Sequence, residues 1–176
     1  MHLSRAMAMP ATRMPADTES RTEACNCLAI REAARHITQF YDRFLAPAGL
    51  RTTQFSILAK LRRLGPMTIN ALAAELVMDR TTLGRNILPL KREGLIAIAQ
   101  GRTDRRSKEL RLTTSGAERL RAAAARWSEA QRRFETVFGG KRASALRALL
   151  RAVAASDLAA APHGAGLRKD SEDARQ

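Results

Sequence analysis

Two groups of hydrogen-bond donors lie near the middle of the chain. Thr81, Thr82 and Arg85 share one short segment, and Arg102, Arg105 and Arg106 crowd a polar stretch that also holds Asp104. A guanidinium fork matches two acceptors at once, on a phosphate or on guanine O6 and N7. A threonine hydrogen-bonds a base or packs its methyl on thymine. This is chemistry for gripping a polyanion. Catalysis has no comparable basis: there is no glycine-rich phosphate cradle, no paired carboxylates in a plausible cleft and no nucleophile partnered by a base. Neither an enzyme nor a cofactor is expected.

A second chemical feature is Cys25-x-Cys27. A thiol at a helix N-terminus can have a lowered pKa, and Arg21 and Arg31 nearby would help, so an oxidant or electrophile sensor is one reading. Two inert thiols are the other. On a helix the two side chains point about 200° apart. With no further Cys or close His the pair is a poor zinc signature, and no metal is expected.

The elements that must carry these residues follow from periodicity. Ile30, Ala33, Ile37, Tyr41 and Phe44 make one helical face, ended by Pro47 and Gly49. Thr52 is the expected cap of a second helix with Phe55, Leu58 and Leu61 inward, stopped by Gly65-Pro66. Thr68 and Asp79 then cap two short helices, striped by Ile69, Leu72, Ala73 and Leu76 and by Leu83, Ile87 and Leu90, with Gly94 closing the second. Pro89 inside the latter removes a backbone donor, which predicts a kink or a tighter last turn. The period then changes: residues 95–100 and 109–113 alternate as strands around the cationic loop. A capping box at Ser115 and Glu118 predicts a long helix to about 138, and Gly139-Gly140 separates it from a last one over about 141–160 with Leu146, Leu149, Leu150 and Val153 in its stripe.

Two short helices, a tight turn between them and a following hairpin make a winged helix-turn-helix, whose second helix enters the DNA major groove. With Leu83, Ile87 and Leu90 buried, Thr81, Thr82 and Arg85 fall on the exposed, early part of that helix. Arg85 contacts either a guanine edge or only a phosphate. The hairpin tip suits the minor groove or flanking phosphates. Net charge agrees, since 31 Lys and Arg against 17 Asp and Glu leave +14, which favours a polyanionic partner. Charge alone would equally serve a nonspecific architectural DNA-binding protein.

Asp79-Arg80-Thr81-Thr82-Leu83, Gly94-Leu95-Ile96, Asp104-Arg105-Arg106 and Leu110-Arg111-Leu112-Thr113 together resemble the MarR family (multiple antibiotic resistance type regulators). The likeness covers about residues 25–160. It implies a homodimeric repressor that reads a palindrome in double-stranded DNA, with Arg106 as the minor-groove wing residue oriented by Asp104; independently of it, two cysteines and no secretory signal make a reducing, cytoplasmic compartment the expectation. It also implies release by a small aromatic or phenolic effector bound between the dimer region and the winged unit. His36, Phe40, Tyr41 and Arg43 are the candidates there, although Phe40 and Tyr41, aromatics at helical spacing, read first as core, and a lone histidine such as His36 is more often structural.

The expected organisation is a flexible arm over 1–22, a domain over 23–161 and a disordered tail over 162–176. Within the domain the winged helix-turn-helix spans about 52–113, and the dimerisation helices about 25–46 and 115–160. The fold class is mainly α with a small β-hairpin wing. No segment has the apolar length to span a membrane. Met1 to Pro15 hold no continuous hydrophobic block, so no secretory signal is expected.

Overall fold

The computed structural model describes residues 24–101 and 107–158, and the chain divides into two compact units, Met1–Gln131 and Arg132–Gln176. The arm over 1–22, the tail over 162–176 and the Arg102–Arg106 loop lie outside the described residues. In the first unit, α1 (Asn26–Leu45) leads through a 3-10 turn (Ala46–Ala48) into α2 (Thr52–Leu64). Gly49 supplies the turn's left-handed exit at φ +69°. Strand β1 (Met67–Thr68), α3 (Ile69–Leu76), α4 (Arg80–Arg92), β2 (Ile96–Gln100) and β3 (Lys108–Leu112) follow, and then α5 (Thr114–Phe138). The second unit holds the end of α5 and α6 (Gly140–Ala155). Among the described residues no helix is long and apolar enough to cross a membrane.

The stripes predicted for α2, α3 and α4 supply the core, whereas those predicted for α1 and α6 leave Ile30, Leu149, Leu150 and Val153 exposed. Ile57, Leu58 and Leu61 of α2, Leu72 and Ala73 of α3, and Leu83, Ile87 and Leu90 of α4 are all buried in one cluster, joined by Leu95, Ile96 and Leu110 from the sheet. Phe55 stacks on Trp127 of α5 at 6.0 Å between ring centres. The sheet order is β1-β3-β2, antiparallel throughout, with Ile96 opposite Leu112 and Gln100 opposite Lys108.

Four local expectations need correction. Arg51, not Thr52, precedes α2 as its cap residue; the Gln54 carboxamide accepts from the Arg51 amide at 2.9 Å. Thr52 lies inside the helix, and its amide and hydroxyl both donate to Asp42 Oδ1 at 2.6 Å, so α1 itself satisfies the start of α2. Thr113, not Ser115, serves α5, its hydroxyl accepting from the Gly116 amide at 3.0 Å. Helix α6 stops at Ala155, short of 160, because Ser156 turns to extended backbone and its hydroxyl donates to the Val153 carbonyl at 2.7 Å. The two-residue strand β1 was not anticipated.

Pro89 does not break α4, which runs unbroken through it. The turn that ends the helix is tight: Gly94, at φ +68°, donates to Lys91 O at 3.0 Å and Leu95 donates to Leu90 O at 2.9 Å.

The junction of this turn with α5 is closely packed. The Thr113 hydroxyl also donates to Gly94 O at 2.7 Å, tying the end of α4 to the start of α5. A Cβ at Gly116 would strike the Leu95 carbonyl oxygen and lie 2.8 Å from Leu112 Cδ1. Gly116→Ala should therefore lower unfolding free energy by about 1–3 kcal/mol, the usual penalty for overpacking. Urea denaturation checks this, and a variant as stable as the parent would mean that the junction yields freely.

Candidate nucleic-acid interface

The candidate site is built on α3, the turn after it and α4. Thr68 starts α3, its hydroxyl accepting from the Ala71 amide at 3.2 Å. The chain reverses at Val77, a β-branched residue at φ +51° that is 79% exposed, so the valine is not there for packing. Asp79 begins α4, and its Oδ1 accepts from the Thr82 amide at 2.8 Å. Lys60 of α2 and Glu75 of α3 form an ion pair at 2.9 Å; the Lys60 ammonium, by hydrogen bond and by charge, holds the Glu75 carboxyl below its usual value.

Burial of Leu83, Ile87 and Leu90 sets the rotation of α4 about its axis. Arg80, Thr81, Thr82, Arg85, Leu88, Lys91 and Arg92 consequently reach solvent. Among the described residues Arg85 has no ion pair, so its guanidinium is available. Thr82 is more committed. Its hydroxyl first, and its amide second, hold the Asp79 carboxyl below the ordinary aspartate range, so Thr82 serves the cap as well as the exposed face. Lys91 and Arg92 complement the negative end of the helix dipole.

Strands β2 and β3 form the predicted hairpin, closed by the Gly101 amide donating to Ser107 O at 2.9 Å. Arg102, Asp104, Arg105 and Arg106 occupy the sequence between those strands and lie outside the described residues. On β3, Arg111 pairs with Glu109 at 3.0 Å.

The four effector candidates are not gathered around one space. His36 is exposed, while Phe40 packs edge-on against Tyr41 and at a tilt against Phe44. Tyr41 is buried and its hydroxyl donates to Gln131 Oε1 at 2.7 Å. Of the four, Arg43 lines an open cleft of about 400 Å³, with Asp42, Ala46, Gly49, Leu50 and Arg51. Cys25 is the half-buried cap residue of α1 and makes no side-chain cap bond; Cys27 is exposed, and both thiols are free. Among the described residues no three His, Cys, Asp or Glu side chains come together as a metal site.

One structural contributor was invisible in the sequence. Arg119 of α5 donates to the Ala48 carbonyl at 3.4 Å and sits 3.5 Å from Glu93, the residue that follows α4. It links the end of α4 to the turn after α1 across a long sequence separation, and no local pattern marks such a residue.

Comparison with known proteins agrees with this geometry. The MarR family model matches residues 50–108. The HTH-type transcriptional regulator YwoH of Bacillus subtilis is 36% identical over 84 residues, 48% of this chain and 61% of YwoH, so the match spans under two thirds of that relative. The transcriptional regulator MosR of M. tuberculosis, in complex with DNA, is 36% identical with a TM-score of 0.64, covering 76% of this chain and 99% of MosR. BpsR of Bordetella bronchiseptica, whose DNA binding is regulated by 6-hydroxynicotinic acid, shares the fold at TM-score 0.66 and 22% identity, over 76% of this chain and 95% of BpsR.

The Asp79 cap has a pH signature. A carboxyl with a lowered folded-state pKa contributes stability that is fully present above its unfolded value, about 3.9, and is lost as pH falls through the lowered value. Asp79→Ala should melt below the parent at neutral pH, with the gap closing only below about pH 4. Thermal melts across that range check it, and a constant gap would exclude a charged cap.

Proposed function

Because this chain belongs to the MarR family, DNA-binding transcription regulators rather than enzymes, we propose that it is a homodimeric repressor of a palindromic operator, released by a small aromatic or phenolic effector. The observation that carries the reading is the exposed, unpaired Arg85 beside Thr81, on a helix whose opposite face is locked into the core. Such a helix enters the major groove N-terminus first. Arg85 then reads a guanine edge, and Thr81 a neighbouring base. Arg102, Arg105 and Arg106, placed by sequence between β2 and β3, reach the minor groove or its phosphates, with Asp104 orienting Arg106. That BpsR answers an aromatic acid is compatible with an effector here, and Arg43 with Arg51, set against the one carboxylate of Asp42, leaves the cleft beside the 3-10 turn with a net positive lining suited to an anion.

Competition gel shifts test this reading. The chain should prefer its operator to random duplex by roughly a thousandfold or more. Arg85→Ala should relax that preference, whereas Arg105→Ala should weaken all duplexes alike and flatten the salt dependence. Identical behaviour of the two variants would remove the division of roles. In the same assay an aromatic carboxylate should dissociate the complex, and failure of every such compound would remove the effector from the proposal.

The dimer is supported by apolar side chains that a single chain leaves in water. Ile30 on α1 is 42% exposed, and on α6 Leu149, Leu150 and Val153 are 66%, 42% and 46% exposed. Helical stripes of this kind are normally covered by another chain. Two winged units would then lie about 10 bp apart on the duplex. Sedimentation equilibrium should return a dimer for the parent and a shift toward monomer for Leu149→Asp, with weaker operator binding. A parent that stays monomeric at micromolar concentration would end the dimer reading.

A further inference from the structure

Thr81, Gly84, Arg85 and Leu88 fall at the i, i+3, i+4, i+7 spacing that defines one face of a helix. On α4 this is the solvent face, since Leu83, Ile87 and Leu90 fill the core. Two of the four residues are wrong for a merely solvated surface. Leu88 is 51% exposed on a face that is otherwise cationic and polar. Gly84 sits in the helix interior, where glycine is the poorest ordinary residue, and a Cβ built on it meets nothing within 4 Å. Neither the backbone nor a packing neighbour requires a glycine there. The missing side chain leaves a notch one helical turn from an exposed leucine, with Arg85 alongside.

We propose that Gly84 and Leu88 form an apolar reading pair for a thymine 5-methyl group in the major groove. The inference rests on the DNA-regulator reading and adds base identity to it. The thymine methyl is the one apolar group that DNA presents in that groove. A helix carrying a knob at Leu88 and a notch at Gly84 can come close enough to enclose it, while Thr81 and Arg85 take the polar base edges on the same face. The cationic surroundings, Arg80, Arg85, Lys91 and Arg92, suit the polyanion and disfavour an apolar protein partner at this surface.

The test uses the full-length chain and a duplex it selects from a random pool, with each thymine replaced in turn by deoxyuridine, which lacks the methyl. The expected result is one sensitive thymine in each half-site. Its replacement should weaken binding by about fourfold, the value of one buried methyl group. Leu88→Ala should bind the thymine and uracil duplexes alike while still preferring the selected sequence over random DNA. Gly84→Ala, filling the notch with the best helix former, should melt higher than the parent yet bind the thymine duplex about tenfold more weakly. A rise in stability together with a loss of affinity separates a recognition role from a structural one. If no thymine is sensitive, if Leu88→Ala keeps the sensitivity, or if Gly84→Ala binds undiminished, the pair does not read a methyl. Failure of the underlying reading looks different: the parent chain would then select no sequence from the pool.

Discussion

Burial of Leu83, Ile87 and Leu90 on one side of α4 is the constraint from which the site follows. A helix advances 100° per residue, so fixing three side chains in the core fixes where every other one points. Thr81, Arg85 and Arg92 face outward because their neighbours cannot. Rotation of the helix by one residue would put the Lys91 ammonium in the core in one direction, or Thr82 and Asn86 in the other, at the cost of a buried charge or of buried polar groups. Hydrophobic packing thereby determines the presentation of polar groups, and the cations need no partners of their own to hold them outward.

Rotation is only one of the freedoms that must be removed; α4 must also be held at both ends. At its start, Asp79 satisfies the Thr82 amide and favours the positive end of the helix dipole. At its end, Gly94 reverses the chain, and Thr113 grips the Gly94 carbonyl with the same hydroxyl that caps α5. Gly116 lets α5 start directly against the Leu95 carbonyl, while Arg119 reaches from α5 to Glu93 and to the turn after α1. The exposed Arg119–Glu93 pair adds little stability on its own. Its consequence is positional: the end of α4 and the turn that borders the Arg43–Arg51 cleft share one side chain.

The parts of this arrangement that were legible in the sequence are those written locally. Helical stripes, the Thr68 and Asp79 caps, and the glycine and proline stops each depend on residues a few positions apart. The two-helix unit and hairpin could therefore be read from order and spacing. The misreadings are long-range. Thr52 looks like a cap, yet the group that satisfies the start of α2 includes Asp42, on another helix. Ser115 and Glu118 have the spacing of a capping box, but Thr113 is already held by Gly94 and takes the role. Strand β1 is too short to show alternation and exists because Met67 and Thr68 pair with Leu110 and Glu109. The outward face of α4 was readable for Thr81 and Arg85, whereas the engagement of the Thr82 hydroxyl by Asp79 needed coordinates.

Where local rules are broken without a packing reason, the deviations gather on the helix-turn-helix. Val77 holds a left-handed backbone that costs a β-branched residue about 1–2 kcal/mol, and it recovers none of this by burial. Gly84 gives up helix propensity, and Leu88 leaves an aliphatic chain in water. Much of the first unit obeys the same rules: its central cluster is aliphatic, α3, α4 and α5 start on the side chains of Thr68, Asp79 and Thr113, and its tight glycines answer a steric need at Gly49 and Gly116. Apolar side chains are exposed elsewhere too, Ile30, Leu64 and Ile98 among them, but a left-handed valine, a helix-interior glycine and an exposed leucine together on one helix-turn-helix point to a load there that folding does not impose. On the proposed function duplex DNA supplies that load, because it brings phosphate charge, polar base edges and thymine methyl groups to one surface.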